Sequence, residues 1–314
     1  EKTDGKNGIW HWGVKAYSSK DLYNWKDEGI IIPPEPEDEN SSLHPSAQMD
    51  RPHIIYNKAT KKYVCWLKIM HKDGTQDETV LTADRFLGPY TKVREGLRPL
   101  NMSAGDFDLV VAPDGKAYYM FERVHSETII ADLTDDYTDV TGYYSTHFPH
   151  PYPPYVREAT AHFMRNGKHY LITSGTTGYL PNPSEVAVAD TWHGPYTVLG
   201  NPHPGDETDT SYHSQISSVF KVPGKKDLYI ACADRWLPNA MDKDYHVYKK
   251  MFEAIFIGKK EEFDFSSMGE PVVEETRIAD YVWLPLRFVE PCEEYPNGMV
   301  FVDWKDEWRI EDYE

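Results

Sequence analysis

An eight-residue stretch of this chain occurs twice. Ala83-Asp84-Arg85-Phe86-Leu87-Gly88-Pro89-Tyr90 returns as Ala189-Asp190-Thr191-Trp192-His193-Gly194-Pro195-Tyr196, an offset of 106 residues. A second marker, a turn followed by an aromatic strand, divides that interval in two. It reads TKKYVCWL from Thr60, DGKAYYMF from Asp114, NGKHYLIT from Asn166 and KKDLYIAC from Lys225. Its tyrosines, Tyr63, Tyr118, Tyr170 and Tyr229, lie 55, 52 and 59 residues apart. A looser fifth copy is NGMVFVDW, Asn297–Trp304. A period near 53 residues that is rich in alternating aromatic runs and Asp-Gly, Asn-Gly or Gly-Pro turns holds four short strands, the content of one propeller blade. No long amphipathic helical stretch stands out, which argues against a parallel-sheet enzyme. The expected fold is therefore all-β, a five-bladed β-propeller forming a single domain over residues 1–314. A sandwich of about twelve strands would leave the period unexplained.

The first unit is shorter than the others. GIWHWGVKAYSS (Gly8–Ser19) and DLYNWKDEG (Asp21–Gly29) match the later part of a blade, and no turn-plus-aromatic strand precedes them. The first blade is thus expected to be incomplete at the N-terminus, with its inner strands upstream of Glu1.

Each unit also carries a polar residue at one phase. Asp50, Asp106, Glu158 and Gln215 stand 13, 12, 12 and 14 residues before the marker tyrosines, each ahead of an apolar run. The first strand of a blade lines the central channel, so the expectation is that these four side chains face one cavity. Acidic residues also begin strands as turn caps, but four polar residues at one phase favour a site. Two carboxyls in one pocket suit glycosidic bond cleavage, because a neighbouring charge raises the pKa of the one that must carry a proton.

Charge narrows the ligand. The chain carries a formal net charge of −18, which repels phosphate backbones and anionic membranes. A neutral oligo- or polysaccharide fits, and no nucleic acid or membrane insertion is expected; no stretch reaches the ~20 apolar residues of a membrane helix. The aromatic share of 14% serves strands and, at a few positions, sugar stacking. Cys65, Cys232 and Cys292 show no disulfide or metal spacing, and the first two lie in strand-like runs as buried thiols.

Taken together, SSKDLYNWKDEG (18–29), DRPHIIYN (50–57), AGDFDLVVAPDGKAY (104–118), REATAHFMRNGKHYLITSGTTGYLPN (157–182), SYHSQISSVF (211–220), ADRWLP (233–238) and YVWLPL (281–286) resemble glycoside hydrolase family 43, and most of all its exo-β-1,3-galactanase-type branch. The resemblance covers nearly the whole chain. It implies Glu158 as general acid, Asp106 as the carboxylate that tunes and orients it, and Gln215 as holder of the nucleophilic water. It also implies Asp50 as a sugar contact where relatives carry Glu. In the wider family the base is an Asp in the first blade, a region lying before Glu1. Arg51 reads either as a substrate contact or as a structural ion pair. The loop Ser174–Tyr179 departs from the galactanase pattern, which makes Thr176 and Tyr179 specificity positions. Tyr179 and Trp236 are candidates for sugar stacking or for core packing. His213, two residues before Gln215, reads as a satisfied structural histidine; some relatives place a His near calcium, so structural calcium is open while no cofactor is required.

The implied activity is exo-acting, inverting removal of terminal sugar from plant polysaccharide. An arabinofuranosidase or galactofuranosidase on the same scaffold and a non-catalytic sugar-binding propeller are the alternatives. A polymeric substrate implies a secreted or periplasmic location.

Overall fold

A computed structural model describes residues 9–268, 272 and 274–314; Gly8 and the start of the chain lie outside the described residues. The chain falls into two compact units, one running to Val124 and including Ile129–Ser145, the other made of His125–Thr128 and Thr146–Glu314.

The first unit opens with β1 (Val14–Ser19) and β2 (Trp25–Ile32), an antiparallel pair. Next come β3 (Gln48–Asn57), β4 (Lys62–Met70), β5 (Gln76–Ala83) and β6 (Thr91–Leu97), hydrogen-bonded in chain order, and then β7 (Ala104–Val111), β8 (Ala117–Arg123), β9 (Glu127–Leu133) and β10 (Val140–His147) in the same order. Strand periodicity builds the core. Val64 and Trp66 of β4 enter a cluster with Phe107, Tyr119 and Phe121, while Cys65, Leu67 and Ile69 enter another with Val14, Ile32 and Leu43. Opposite faces of one strand therefore feed separate cores. That is why β4 is buried along six consecutive residues and reads as an unbroken apolar run.

The second unit repeats the plan with β11 (Arg157–Arg165), β12 (Lys168–Gly175), β13 (Glu185–Ala189) and β14 (Thr197–Gly200), then β15 (Gln215–Lys221), β16 (Tyr229–Arg235), β17 (Asp280–Val289) and β18 (Met299–Val302). Its core cluster includes Phe163, Tyr170, Ile172, Tyr229, Leu284 and Val300. The β11–β12 turn consists of Asn166 and Gly167, both in the left-handed region (φ 53° and 76°), the two-residue turn that matches strand twist.

All four marker tyrosines lie on the second strand of a blade, and both copies of the eight-residue repeat connect a third strand to a fourth. Three expectations need correction. The described residues contain four complete blades, not five; the first sheet has two strands. The fifth marker copy is not a fifth unit: Met299–Val302 is the fourth strand of the last blade, pairing with Leu286–Val289. An Asn-Gly turn before an aromatic run marks any hairpin, not only the one joining first and second strands. Finally, a helix exists. α1 (Tyr245–Phe256) sits in the long connection between β16 and β17, with the Asp244 carboxylate accepting the His246 amide N–H at 2.8 Å. Its Tyr, Val, Phe and Ile content mimics a strand in sequence, and its buried Tyr245 and Tyr248 are spaced by less than one turn.

Candidate active site

The pairing of first and second strands is interrupted in every complete blade. The break falls between Asp50 and His53 in β3, Ala104 and Phe107 in β7, Glu158 and Ala161 in β11, and Ile216 and Ser218 in β15. Arg51 and Ala159, inside two of these breaks, take φ of 53° and 49°. A bulge re-aims the neighbouring side chains, and here it recurs beside each residue of the polar phase. Asp50 and Glu158 are the last paired residues before their breaks, Asp106 lies inside its break, and Gln215 stands one residue before the last paired one.

In the first unit, Asp106 is buried at 8% exposure. Arg51 Nη2 donates to its Oδ2, and Lys68 Nζ lies 2.6 Å from its Oδ1. Burial alone would raise this carboxyl, but Arg51 and Lys68 outweigh it and hold Asp106 below the usual carboxylate range. Burial likewise opposes the Lys68 charge, and Asp106 and Asp50 overcome it, so Lys68 is raised. Arg51 is therefore the ion-pair partner of Asp106. Behind this group, the fully buried Glu78 accepts from the Tyr119 hydroxyl at 2.8 Å. Desolvation pushes Glu78 well above the carboxylate range, against that hydrogen bond and the Lys68 charge. Glu78 stands directly opposite Lys68 on the sheet, as does Asp50 on the other side.

In the second unit, Gln215 organises a hydrogen-bonded group. Its Nε2 donates to Glu158 Oε1 at 3.2 Å and to Ser174 Oγ at 2.8 Å. Its Oε1 accepts the Trp236 indole N–H at 3.1 Å. Ser174 is the cross-strand partner of Glu158, and Asp234 that of Gln215. Gln215, Asp234, Trp236, Tyr179, His213 and Asn182 line one cleft. The rings of Tyr179 and Trp236 are 5.7 Å apart and tilted by 59°, so the two aromatic lining residues pack against each other at an angle.

The cleft is held by backbone-directed hydrogen bonds. Asn182 Oδ1 accepts the Gly175 N–H at 2.6 Å, and its Nδ2 donates to the Gly175 carbonyl at 2.8 Å and to Thr177 Oγ1 at 2.7 Å. Gly175 is required by contact: a Cβ there would lie 2.6 Å from the Pro154 carbonyl oxygen. Thr176 is buried, and its hydroxyl donates to the Val156 carbonyl at 3.0 Å, which fixes its direction in the loop. Upstream of Gln215, Ser211, Tyr212 and His213 are three consecutive non-glycine residues with φ near 55°, a conformation costing about 1–3 kcal/mol each. Asp206 Oδ2 accepts the Thr210 and Tyr212 amide N–H groups at 2.9 and 3.0 Å, and Arg235 Nη2 donates to the Tyr212 carbonyl at 2.9 Å. These bonds hold the strained turn that sets the start of β15. His213 differs from its expectation as a satisfied histidine, since its Nδ1 is buried without a hydrogen-bond partner among the described residues.

Lys68, Ser174, Asn182 and Asp234 were not singled out from sequence. Lys68 had a signal: a lysine inside the apolar run Val64–Met70 is rarely buried without a partner. Asp234 lay in the ADRWLP motif without a role. Ser174 and Asn182 act through register and loop closure and carry no signal in one sequence. Among the described residues no three His, Cys, Asp or Glu side chains are grouped as a metal site would need, and no helix is long and apolar enough to cross a membrane.

Comparison with known proteins follows the same lines. The family profile of glycosyl hydrolases family 43 matches residues 6–248. The chain is 28% identical to a β-1,3-galactosidase, BT0265, over 96% of its own length with a TM-score of 0.74, and it spans only 55% of that protein. It is 27% identical to a β-1,3-galactosidase, BT3683, solved with galactodeoxynojirimycin, covering 96% of this chain and 88% of that one, again with a TM-score of 0.74. An exo-β-1,3-galactanase from Clostridium thermocellum is 22% identical with a TM-score of 0.68, over 98% of this chain and 62% of that one; at that identity the likeness concerns the fold. None of the curated proteins matches.

Proposed function

Because the chain belongs to glycosyl hydrolase family 43, we propose that it hydrolyses terminal β-1,3-linked galactose from plant polysaccharide with inversion, Glu158 supplying the proton to the leaving oxygen. One observation carries this reading: the Gln215 amide joins the Glu158 carboxyl to the Trp236 indole at the edge of a cleft. A proton donor beside an aromatic wall is what a pyranose end needs, since the ring stacks on the apolar face while the scissile oxygen meets the acid. β-1,3-Galactosidases among the similar structures support galactose as the sugar.

Asp106 serves the same reaction as an ionised carboxylate, held so by Arg51 and Lys68. Its role is the one that the resemblance implies, tuning and orienting the acid. Asp50 and Tyr179 contribute sugar contacts. A polymeric substrate places the protein outside the cytoplasm.

The reading is tested by product analysis. Incubation with β-1,3-galactan should release galactose, and proton NMR at early times should show the α-anomer first. Release of arabinose from arabinofuranosides without release of galactose would transfer the assignment to the alternative sugar. Saturable sugar binding with no product on long incubation would remove the enzymatic reading.

A further inference from the structure

We infer that Tyr248 of α1 is a positioning residue for substrate binding: through the Pro181 carbonyl it holds one wall of the cleft in the place that receives the sugar. This rests on the proposed glycosidase reading and adds to it a residue outside the cleft that sets affinity.

Strand register explains how a helix reaches the site. In each complete blade the second strand ends beside the start of the first, so the connection from second to third strand leaves from the end that carries the polar phase. Ser174 pairs with Glu158 there, and Asp234 with Gln215. In the β3–β6 and β7–β10 blades these connections are short, residues 71–75 and 124–126. In the other two they are residues 176–184 and 236–279. Both of these line the cleft, the first with Tyr179, Pro181 and Asn182, the second with Trp236. α1 lies in the longer one.

α1 fastens three segments that lead to the site. Its Tyr245 amide N–H donates to the Thr208 carbonyl at 3.3 Å, and His246 Nε2 lies 3.3 Å from Asp209 Oδ2; both contacts fall on the turn ahead of Gln215. Its Glu253 carboxylate accepts from the hydroxyl of Tyr155, which precedes β11 and Glu158. Between these, the Tyr248 hydroxyl donates to the Pro181 carbonyl. The third contact differs from the others in what it supports. Glu158 and Gln215 stand in β11 and β15 and share a hydrogen bond of 3.2 Å, so the sheets fix them. Pro181 belongs to a connection, and it is followed by Asn182, whose side chain closes the loop on Gly175 and whose carbonyl accepts from Ser211 Oγ at 2.8 Å.

Tyr248 is 2% exposed. Burial raises its hydroxyl far above the usual tyrosine range, so it donates at every working pH. Without that donor the Pro181 carbonyl is left buried and unpaired, which is costly, and the wall leaves its place for part of the time. A site that is competent for a fraction of the time binds more weakly by that fraction. Molecules that do bind meet the same Glu158 and Gln215, so their chemistry is unchanged.

The test is Tyr248→Phe, which removes one oxygen and keeps the ring in its packing. On β-1,3-galacto-oligosaccharide KM should rise about tenfold, the effect of one buried hydrogen bond, with kcat within about twofold of wild type. Hydrogen exchange read by mass spectrometry should be faster in residues 176–182 and unchanged in β11 and β15. An unchanged KM, a loss carried by kcat, or exchange that is faster throughout the chain would overturn the assignment while leaving the hydrolase reading in place. A wild-type protein that cleaves no glycoside would overturn both.

Discussion

Replacing Lys68 by Met gives the most quantitative check on how this chain holds its buried charge. Lys68 and Asp106 are 6% and 8% exposed, and their charged atoms are 2.6 Å apart. Removing one member of a buried pair costs about 3–5 kcal/mol, because the other is left uncompensated. Arg51 still donates to Asp106, so the lower end applies, about 3 kcal/mol at pH 7. For a unit of 150–250 residues this corresponds to a drop of roughly 6–12 °C in melting temperature. The sign of the pH dependence is fixed by the carboxylate. The Asp106 pKa is depressed in the fold, so its stabilisation is complete above the unfolded carboxylate pKa and is lost as pH falls through the folded value. In Lys68→Met the folded value is less depressed, so the variant has less stabilisation to lose in acid. The difference between variant and wild type should therefore hold from pH 7 to about 4 and shrink below the unfolded carboxylate pKa of about 3.9. Urea unfolding followed by tryptophan fluorescence at several pH values reads both quantities. A penalty under 1 kcal/mol at pH 7, or one that does not change with pH, would refute the reasoning.

Other outcomes follow from packing and titration. Trp66 is fully buried, and its indole N–H donates to the Tyr137 carbonyl at 2.9 Å; Trp66→Ala should cost about 3–5 kcal/mol in urea unfolding. Gly175→Ala places a Cβ 2.6 Å from the Pro154 carbonyl and should displace the Asn182-held loop, raising KM more than it lowers kcat in steady-state assays. His162, buried against His169 with Trp192 stacked on it, is pushed down to about 3 by burial and by its histidine neighbour. The unfolded imidazole takes a proton near pH 6.5 and the folded one does not, so stability should fall with acid between about pH 6.5 and 3. The slope should approach 1.4 kcal/mol per pH unit for this group, and it should lessen by that amount in His162→Phe.

The repeat was legible because blades are built from local hairpins, and local hairpins leave turn residues and aromatic strands at a constant spacing. The marker tyrosines identify second strands for this reason. The same signal misled at Asn297–Trp304, where the Asn297-Gly298 turn ends the longer connection between the last two strands of a blade. α1 escaped notice because a twelve-residue helix rich in Tyr, Phe and Ile resembles a strand in composition. Among site residues, the polar phase was visible because each member lies near the start of the first strand of its blade, at or beside an interruption of the pairing. Long-range partners were not: the Arg51–Asp106 and Lys68–Asp106 pairs span 55 and 38 residues, and nothing local encodes them. The bond from the Thr176 hydroxyl to the Val156 carbonyl likewise joins residues far apart in the chain and leaves no local signal.

Leaving-group dependence in Glu158→Gln tests most directly whether Glu158 is the proton donor. The variant should lose about 10²–10⁴-fold in kcat on β-1,3-galacto-oligosaccharide, whose leaving oxygen needs a proton, and keep most of its activity on an aryl galactoside that leaves without one. Equal rates for variant and wild type on the oligosaccharide would contradict it.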